Sequence, residues 1–311
     1  MRIAFLGKGG SGKTTVSSLV ARLAPESFDE IYVIDSDINK HMKSALGLSD
    51  QQVHPFTPVF NAFESKVRQY HPALNGLTAL PRTLPVWDTS VITKISFDEE
   101  PFSGNQPINN TLVYELGSYN ADTMGWSCHH NALGKLQFVL THAVDTSEQL
   151  IIADLTAGAD VFGVGILGLF DKVYVVVEPT IKSTDIFLQL KELAGHDDVE
   201  LEPIANKVMD ETDLAFIADR IGQLPGYTVK LSNFVRRLER GETVTTNDIE
   251  TENYQTVEQL LHDVANIRRN NREMYEHIMK NHRRAAKNWP KGKFGDVDLL
   301  TLINPDYEPI A

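Results

Sequence analysis

A single cysteine, Cys128, occurs in 311 residues, so no disulfide can form within the chain and a reducing compartment suits it. No run of about eighteen apolar residues occurs, and the first residues already read as a strand. Both features argue against a membrane span or a signal peptide and for a cytoplasmic location. Positive charge is also scarce: 29 Lys and Arg stand against 42 Asp and Glu, a formal net charge of −13. That balance argues against nucleic-acid binding over the whole surface. The deficit is uneven, because nine Lys/Arg meet only three Asp/Glu between Leu261 and Gly295. Such a basic run is either a contact site or a solvated helix face. At 42% hydrophobic residues the chain can bury a substantial core, as one large domain or two small ones.

Glycine is concentrated at the start, in MRIAFLGKGGSGKTT. The apolar run Ile3 to Leu6 ends on Gly7. From there the spacing is G-x-x-x-x-G-K-T, with Gly7, Gly12, Lys13 and Thr14 in the fixed places and a helical pattern from Val16 to Leu23. This is the strand, glycine turn and helix of a phosphate-binding loop. Side chains at Gly9, Gly10 and Gly12 would obstruct a phosphate chain, while the N–H groups of Gly9 to Thr15, Ser11 and Thr15 included, point at it. Lys13 can reach the β- and γ-phosphate oxygens, and Thr14 can give its hydroxyl to Mg²⁺.

Two further strands end on carboxylates. Ile31 to Ile34 leads into Asp35-Ser36-Asp37, and Leu150 to Ala153 leads into Asp154. Ligands of open α/β sheets bind at such strand ends. Asp154 fits the role of holding a Mg²⁺-bound water. A guanine-reading N-K-x-D is missing, since Asp210 stands one place too late after Asn206-Lys207, so ATP is expected over GTP.

The segment KGGSGKTT with Lys8 at its second position, the D-x-D of Asp35 and Asp37, and the D-x-x-A-G from Asp154 to Gly158 resemble the deviant Walker P-loop ATPases of the MinD/ParA/nitrogenase iron protein superfamily, toward its CooC-type members. The resemblance runs from Met1 to about Gly241. It implies Mg²⁺-dependent ATP hydrolysis in a homodimer closed around nucleotide, with Lys8 acting on the partner's phosphates. It further implies that Asp37 positions the attacking water, that Asp35 supports Mg²⁺ through its water shell, that the Gly158 amide senses the γ-phosphate and that Asn206 recognises adenine. For the biological role it implies an accessory ATPase for a client metalloenzyme, or else a ParA/MinD-like switch acting on a protein, DNA or membrane partner.

Cys128-His129-His130, at a helix start, is the one metal-like cluster. CooC-type proteins carry C-x-C here; this chain has Trp126-Ser127-Cys128, so only the second cysteine matches. Cys128 and His129 pooled from two subunits could give four S₂N₂ ligands for Zn²⁺ or Ni²⁺ at a dimer interface. The same residues read equally as a helix start with a buried thiol.

The expected architecture is a doubly wound, mainly parallel α/β sheet over residues 1–255 with a helical extension over 256–311. Seven of fourteen prolines fall between Val53 and Pro107, which predicts an irregular insert with short helices. Val257, Leu260, Leu261, Val264 and Ile267 keep helical spacing that weakens through Met274 and Ile278, predicting one C-terminal helix that projects past the core.

Overall fold

The computed structural model describes residues 1–37, 41–74, 77, 79–117, 129–156, 160–289, 294 and 297–309. Its strands are β1 (Arg2–Leu6), β2 (Glu30–Asp35), β3 (Val53–Pro55), β4 (Thr93–Lys94), β5 (Thr111–Glu115), β6 (Ala143–Val144), β7 (Gln149–Asp154), β8 (Lys172–Val177), β9 (Leu201–Val208) and β10 (Tyr227–Lys230). Its helices are α1 (Lys13–Leu23), α2 (Met42–Leu46), α3 (Thr57–Tyr70), α4 (His129–His142), α5 (Asp160–Val164), α6 (Ile181–Gly195), α7 (Glu211–Ile221), α8 (Asn233–Glu239), α9 (Thr251–Ala265) and α10 (Asn271–Asn288).

Eight strands form one sheet in the order β10-β9-β8-β1-β7-β2-β5-β3, and every described pairing in it is parallel. Parallel strands need crossovers, and the intervening helices cover both faces. The period-2 pleat of β1 shows the division: Ala4 and Leu6 join the core under α3, α4, α6 and α7, whereas Ile3 and Phe5 join the core under α1, α8 and α9. The doubly wound α/β reading holds.

Residues 53–107 are more ordered than their prolines suggest. Pro58 sits in the first turn of α3, where its missing N–H costs nothing, and that helix runs fourteen residues with Val59, Phe60, Phe63 and Val67 buried. Val53–Pro55 joins the main sheet as its edge strand beside β5.

The C-terminal segment does not project as one helix. It breaks after Ala265, and Asn270 caps a second helix, α10, by accepting from the N–H of Glu273. Ile278, Met279, Asn281, His282 and Ala285 are buried, so α10 folds back onto the body.

The break serves a buried ion cluster at the N-terminal ends of the strands. Arg269 donates from Nη2 to Asp145 at 2.7 Å and to Asp171 at 2.6 Å, and Arg2 donates from Nε to Asp145 at 2.8 Å. The Met1 amine also lies 3.1 Å from Asp145. Burial pushes the Asp145 carboxyl up, but the Arg2 and Arg269 cations outweigh it and hold it well below the usual carboxylate range.

Candidate nucleotide site

At the opposite ends of the strands, β1 runs into the glycine loop and α1. Gly12 has φ +92°, and a Cβ there would collide with Asn206 Nδ2. Asn206 is buried at the end of β9 and donates from that nitrogen to the Ser11 carbonyl at 2.8 Å. Glycine is therefore required for the loop and its brace to coexist. A Cβ at Gly9 or Gly10 would meet nothing within 4 Å, so the space above the loop is open. No side chain caps the start of α1, which leaves its first N–H groups facing that space. A cavity of about 890 Å³ rises from Gly9, Lys13, Thr15 and Asp37 to Phe234 and Leu238 of α8. Arg22 lies over the Phe234 ring, 5.6 Å from its centroid, and closes one end of that wall.

Beneath the loop two buried carboxylates lie side by side. Asp35 and Asp154 are register partners at the C-terminal ends of β2 and β7, and both are buried. Asp154 accepts from Thr14 Oγ1 at 2.6 Å through Oδ2, while its Oδ1 is buried without a hydrogen-bond partner. Asp35 accepts from the N–H of Asp37 and of Met42, each at 3.0 Å. Burial pushes Asp154 up to about 7 and Asp35 up to about 6. Two desolvated carboxylates, a threonine hydroxyl and an orphaned carboxylate oxygen form a hard-oxygen donor set short of positive charge, which fits Mg²⁺.

Beside the loop lies a second charged group. Lys8 Nζ is 3.0 Å from Glu178 Oε1, and Lys207 Nζ is 2.9 Å from Glu178 Oε2 while also donating to the Gly10 carbonyl. Burial raises the Glu178 carboxyl, but the two lysines outweigh it and leave it below its usual value. Lys207 adopts φ +58°, a left-handed conformation unusual for a residue with a side chain, in reaching back to the loop.

The structure thus places Gly9, Gly10, Gly12, Lys13, Thr14, Thr15 and Asp37 on one cavity, ties Ser11, Asp35, Asp154 and Asn206 to that lining by hydrogen bonds and register, and sets Lys8 beside the loop. Gly158 and Cys128 lie outside the described residues, as does the side chain of His129. Among the described residues no group of three or more His, Cys, Asp or Glu could hold a further metal ion. Sequence reasoning did not identify Glu178 and Lys207 as loop partners; a helix is legible from Phe234 to Arg240, but not its place as a wall of the cavity.

No family model matches the chain. It is 26% identical over 224 residues to the carbon monoxide dehydrogenase accessory protein CooC of Rhodospirillum rubrum, a span covering 72% of this chain and 80% of that one. A ParA family ATPase from Chlorobium tepidum superposes with a TM-score of 0.55 at 14% identity, covering 84% of this chain and 98% of the other. The septum site-determining protein MinD of Pyrococcus horikoshii, in complex with Mg-ADP, superposes with a TM-score of 0.53 at 18% identity, covering 85% and 96%. Motifs, sequence relatives and fold agree: the chain carries a P-loop, shares the fold of these ParA and MinD ATPases and is similar in sequence to CooC.

Proposed function

We propose that the chain binds ATP with Mg²⁺ in the cavity above the glycine loop and hydrolyses it as a homodimer. The observation that carries this reading is the pair of buried carboxylates with raised pKa beside Thr14, one oxygen of which lacks any partner. Magnesium, when bound, neutralises phosphate charge; Thr14, Asp154 and, through water, Asp35 are the groups to hold it. Lys13 and the loop N–H groups bind phosphate oxygens, and Asp37 orients water at the γ-phosphate. The base lies toward Asn206 and the α8 wall. Lys8 must leave Glu178 to reach a partner's phosphates, so dimer closure exchanges one anion for another.

The relationship to CooC supports an accessory role for a client metalloenzyme, with Cys128 and His129 from two subunits as ligands to Zn²⁺ or Ni²⁺. A second reading, a ParA/MinD-like switch, draws on the exposed basic residues Arg283 and Lys287 of α10. Light scattering, phosphate release and metal content measured together with ATP test these readings. Phosphate release and a dimer that Lys13→Ala abolishes are expected. Monomers at saturating ATP and Mg²⁺, or turnover indifferent to Lys13→Ala, would overturn the proposal. Metal bound per dimer and lost in Cys128→Ala selects the accessory role; metal-free dimers that co-sediment with DNA or liposomes select the switch.

A further inference from the structure

A second cavity, of about 770 Å³, lies between α4, α5 and α10, away from the glycine loop. Its wall includes Arg82, Gln137, Phe162, Arg284, Trp289 and Phe294, and none of the described residues lining it is acidic. In a chain of net charge −13 the lining itself is thus basic, with Glu64 and Asp197 standing behind the two arginines. Arg82 is held in place rather than dangling: its guanidinium stacks 4.2 Å from the Phe60 centroid, and a Cβ at Gly134 would come within 2.9 Å of its Cγ. Its Nη1 is buried, 3.9 Å from Glu64 and without a hydrogen-bond partner. Gln137 is only 4% exposed, and its Oε1 also lacks one. Arg284 is oriented by Asp197 at 2.9 Å and Asn281 at 2.6 Å. Trp289 and Phe294 pack as a tilted pair, with centroids 4.8 Å apart, and supply a flat apolar surface.

The cavity touches the helix that follows the Asp154 strand. Asn281 of α10 donates to the Gly165 carbonyl at 2.8 Å, and His277 lies 3.0 Å from the same oxygen. Gly165 closes α5 at φ +76°, where a Cβ would press on Asn281, and a Cβ at Gly168 would collide with His277. The exit of α5 is thereby clamped by the same helix that walls the cavity.

We propose that this cavity is a binding site for a small aromatic carboxylate, whose occupancy alters the grip of α10 on α5 and so the rate of ATP turnover. Arg82 and Arg284 take the carboxylate, and Trp289, Phe294 and Phe162 take the ring. The effect on turnover rests on the ATPase reading above; the binding does not.

Isothermal titration with 2-naphthoate tests it on the full chain, on Arg82→Gln/Arg284→Gln, on Arg284→Gln alone and on Lys13→Ala, with 2-naphthylmethanol as the uncharged control. Naphthoate is expected to bind the full chain and Lys13→Ala alike, about tenfold more weakly to the double arginine variant, and more tightly than the alcohol. Turnover of the full chain should shift with naphthoate, and that of the double variant should not. The Arg284 side chain is 42% exposed, so the single variant keeps the test readable if Arg82→Gln does not fold. No binding, equal affinity for acid and alcohol, or affinity indifferent to both arginine variants overturns the site. Binding lost in Lys13→Ala places the anion at the glycine loop and overturns it as well. Binding with unchanged turnover overturns the coupling, whereas the expected binding pattern in a chain that never hydrolyses ATP upholds the site and removes the ATPase reading.

Discussion

The two ends of the sheet bury acidic groups in opposite ways. At the N-terminal ends, Asp145 and Asp171 meet Arg2 and Arg269, and Asp145 is held far below its ordinary pKa. At the C-terminal ends, Asp35 and Asp154 face each other among hydrogen-bond donors, with Lys13 too weak an offset to burial, and both are pushed up. The first cluster is closed and ties the C-terminal segment to the body. The second is electrostatically incomplete, and it is there that the proposed cation and phosphate chain would be added.

Four measurements sharpen or break this contrast. Asp154→Asn should lower ATP turnover about a thousandfold, measured by phosphate release, while raising the melting temperature of the nucleotide-free protein at pH 8, because a buried uncompensated charge is removed. A drop in both would make Asp154 a structural acid like Asp145. Asp145→Asn should do the reverse. It should destabilise the fold by about 3–5 kcal/mol in chemical denaturation, because Arg2 and Arg269 lose a buried partner, and leave nucleotide affinity unchanged below the melting range.

The pH dependence of stability separates the two clusters by sign. Asp35 and Asp154 have folded-state pKa values raised from an ordinary 3.8 to about 6 and about 7. Their contribution is present below pH 3.8 and is lost as pH rises through 7. Asp145 is lowered, so its contribution is present above pH 3.8 and is lost as pH falls below it. Saturating Mg²⁺ and a non-hydrolysable ATP analogue should flatten the loss between about pH 4 and 7 in denaturation midpoints, and leave the acid limb in place. A loss between about pH 4 and 7 that ignores the ligand would sever the carboxylate pair from the site. The smallest effect is expected from Thr14→Ser, about twofold in turnover, because the hydroxyl that Asp154 accepts from is retained; a loss equal to that of Asp154→Asn would assign the methyl group a role in the site.

The loop and its carboxylates were legible because each is local. Gly7 to Thr14 is contiguous, and Asp35 and Asp154 end apolar strands whose register then sets them side by side. What was illegible depended on distance or on a broken period. Glu178 stands 170 residues from Lys8, and nothing in the turn around it announces two lysine partners. The helical spacing from Val257 carries through Ile267, and only the reach of Arg269 to Asp145 and Asp171 explains why the chain turns there. Val53–Pro55 is too short and too proline-rich to declare itself a strand; its pairing with β5 decides it. Pro58 belongs to that proline-rich stretch and yet sits in the first turn of α3.

The central place of β1 governs the order in which the chain can assemble. Arg2–Leu6 leaves the ribosome before any other described strand, yet both of its neighbours, Gln149–Asp154 and Lys172–Val177, are synthesised far later. At about 5–20 residues per second, roughly 7 to 30 s pass before the first partner exists. During that interval an apolar strand with its glycine loop must wait unpaired, so the nucleotide cradle is among the last parts of the molecule to take shape and its maturation is exposed to nascent-chain chaperones.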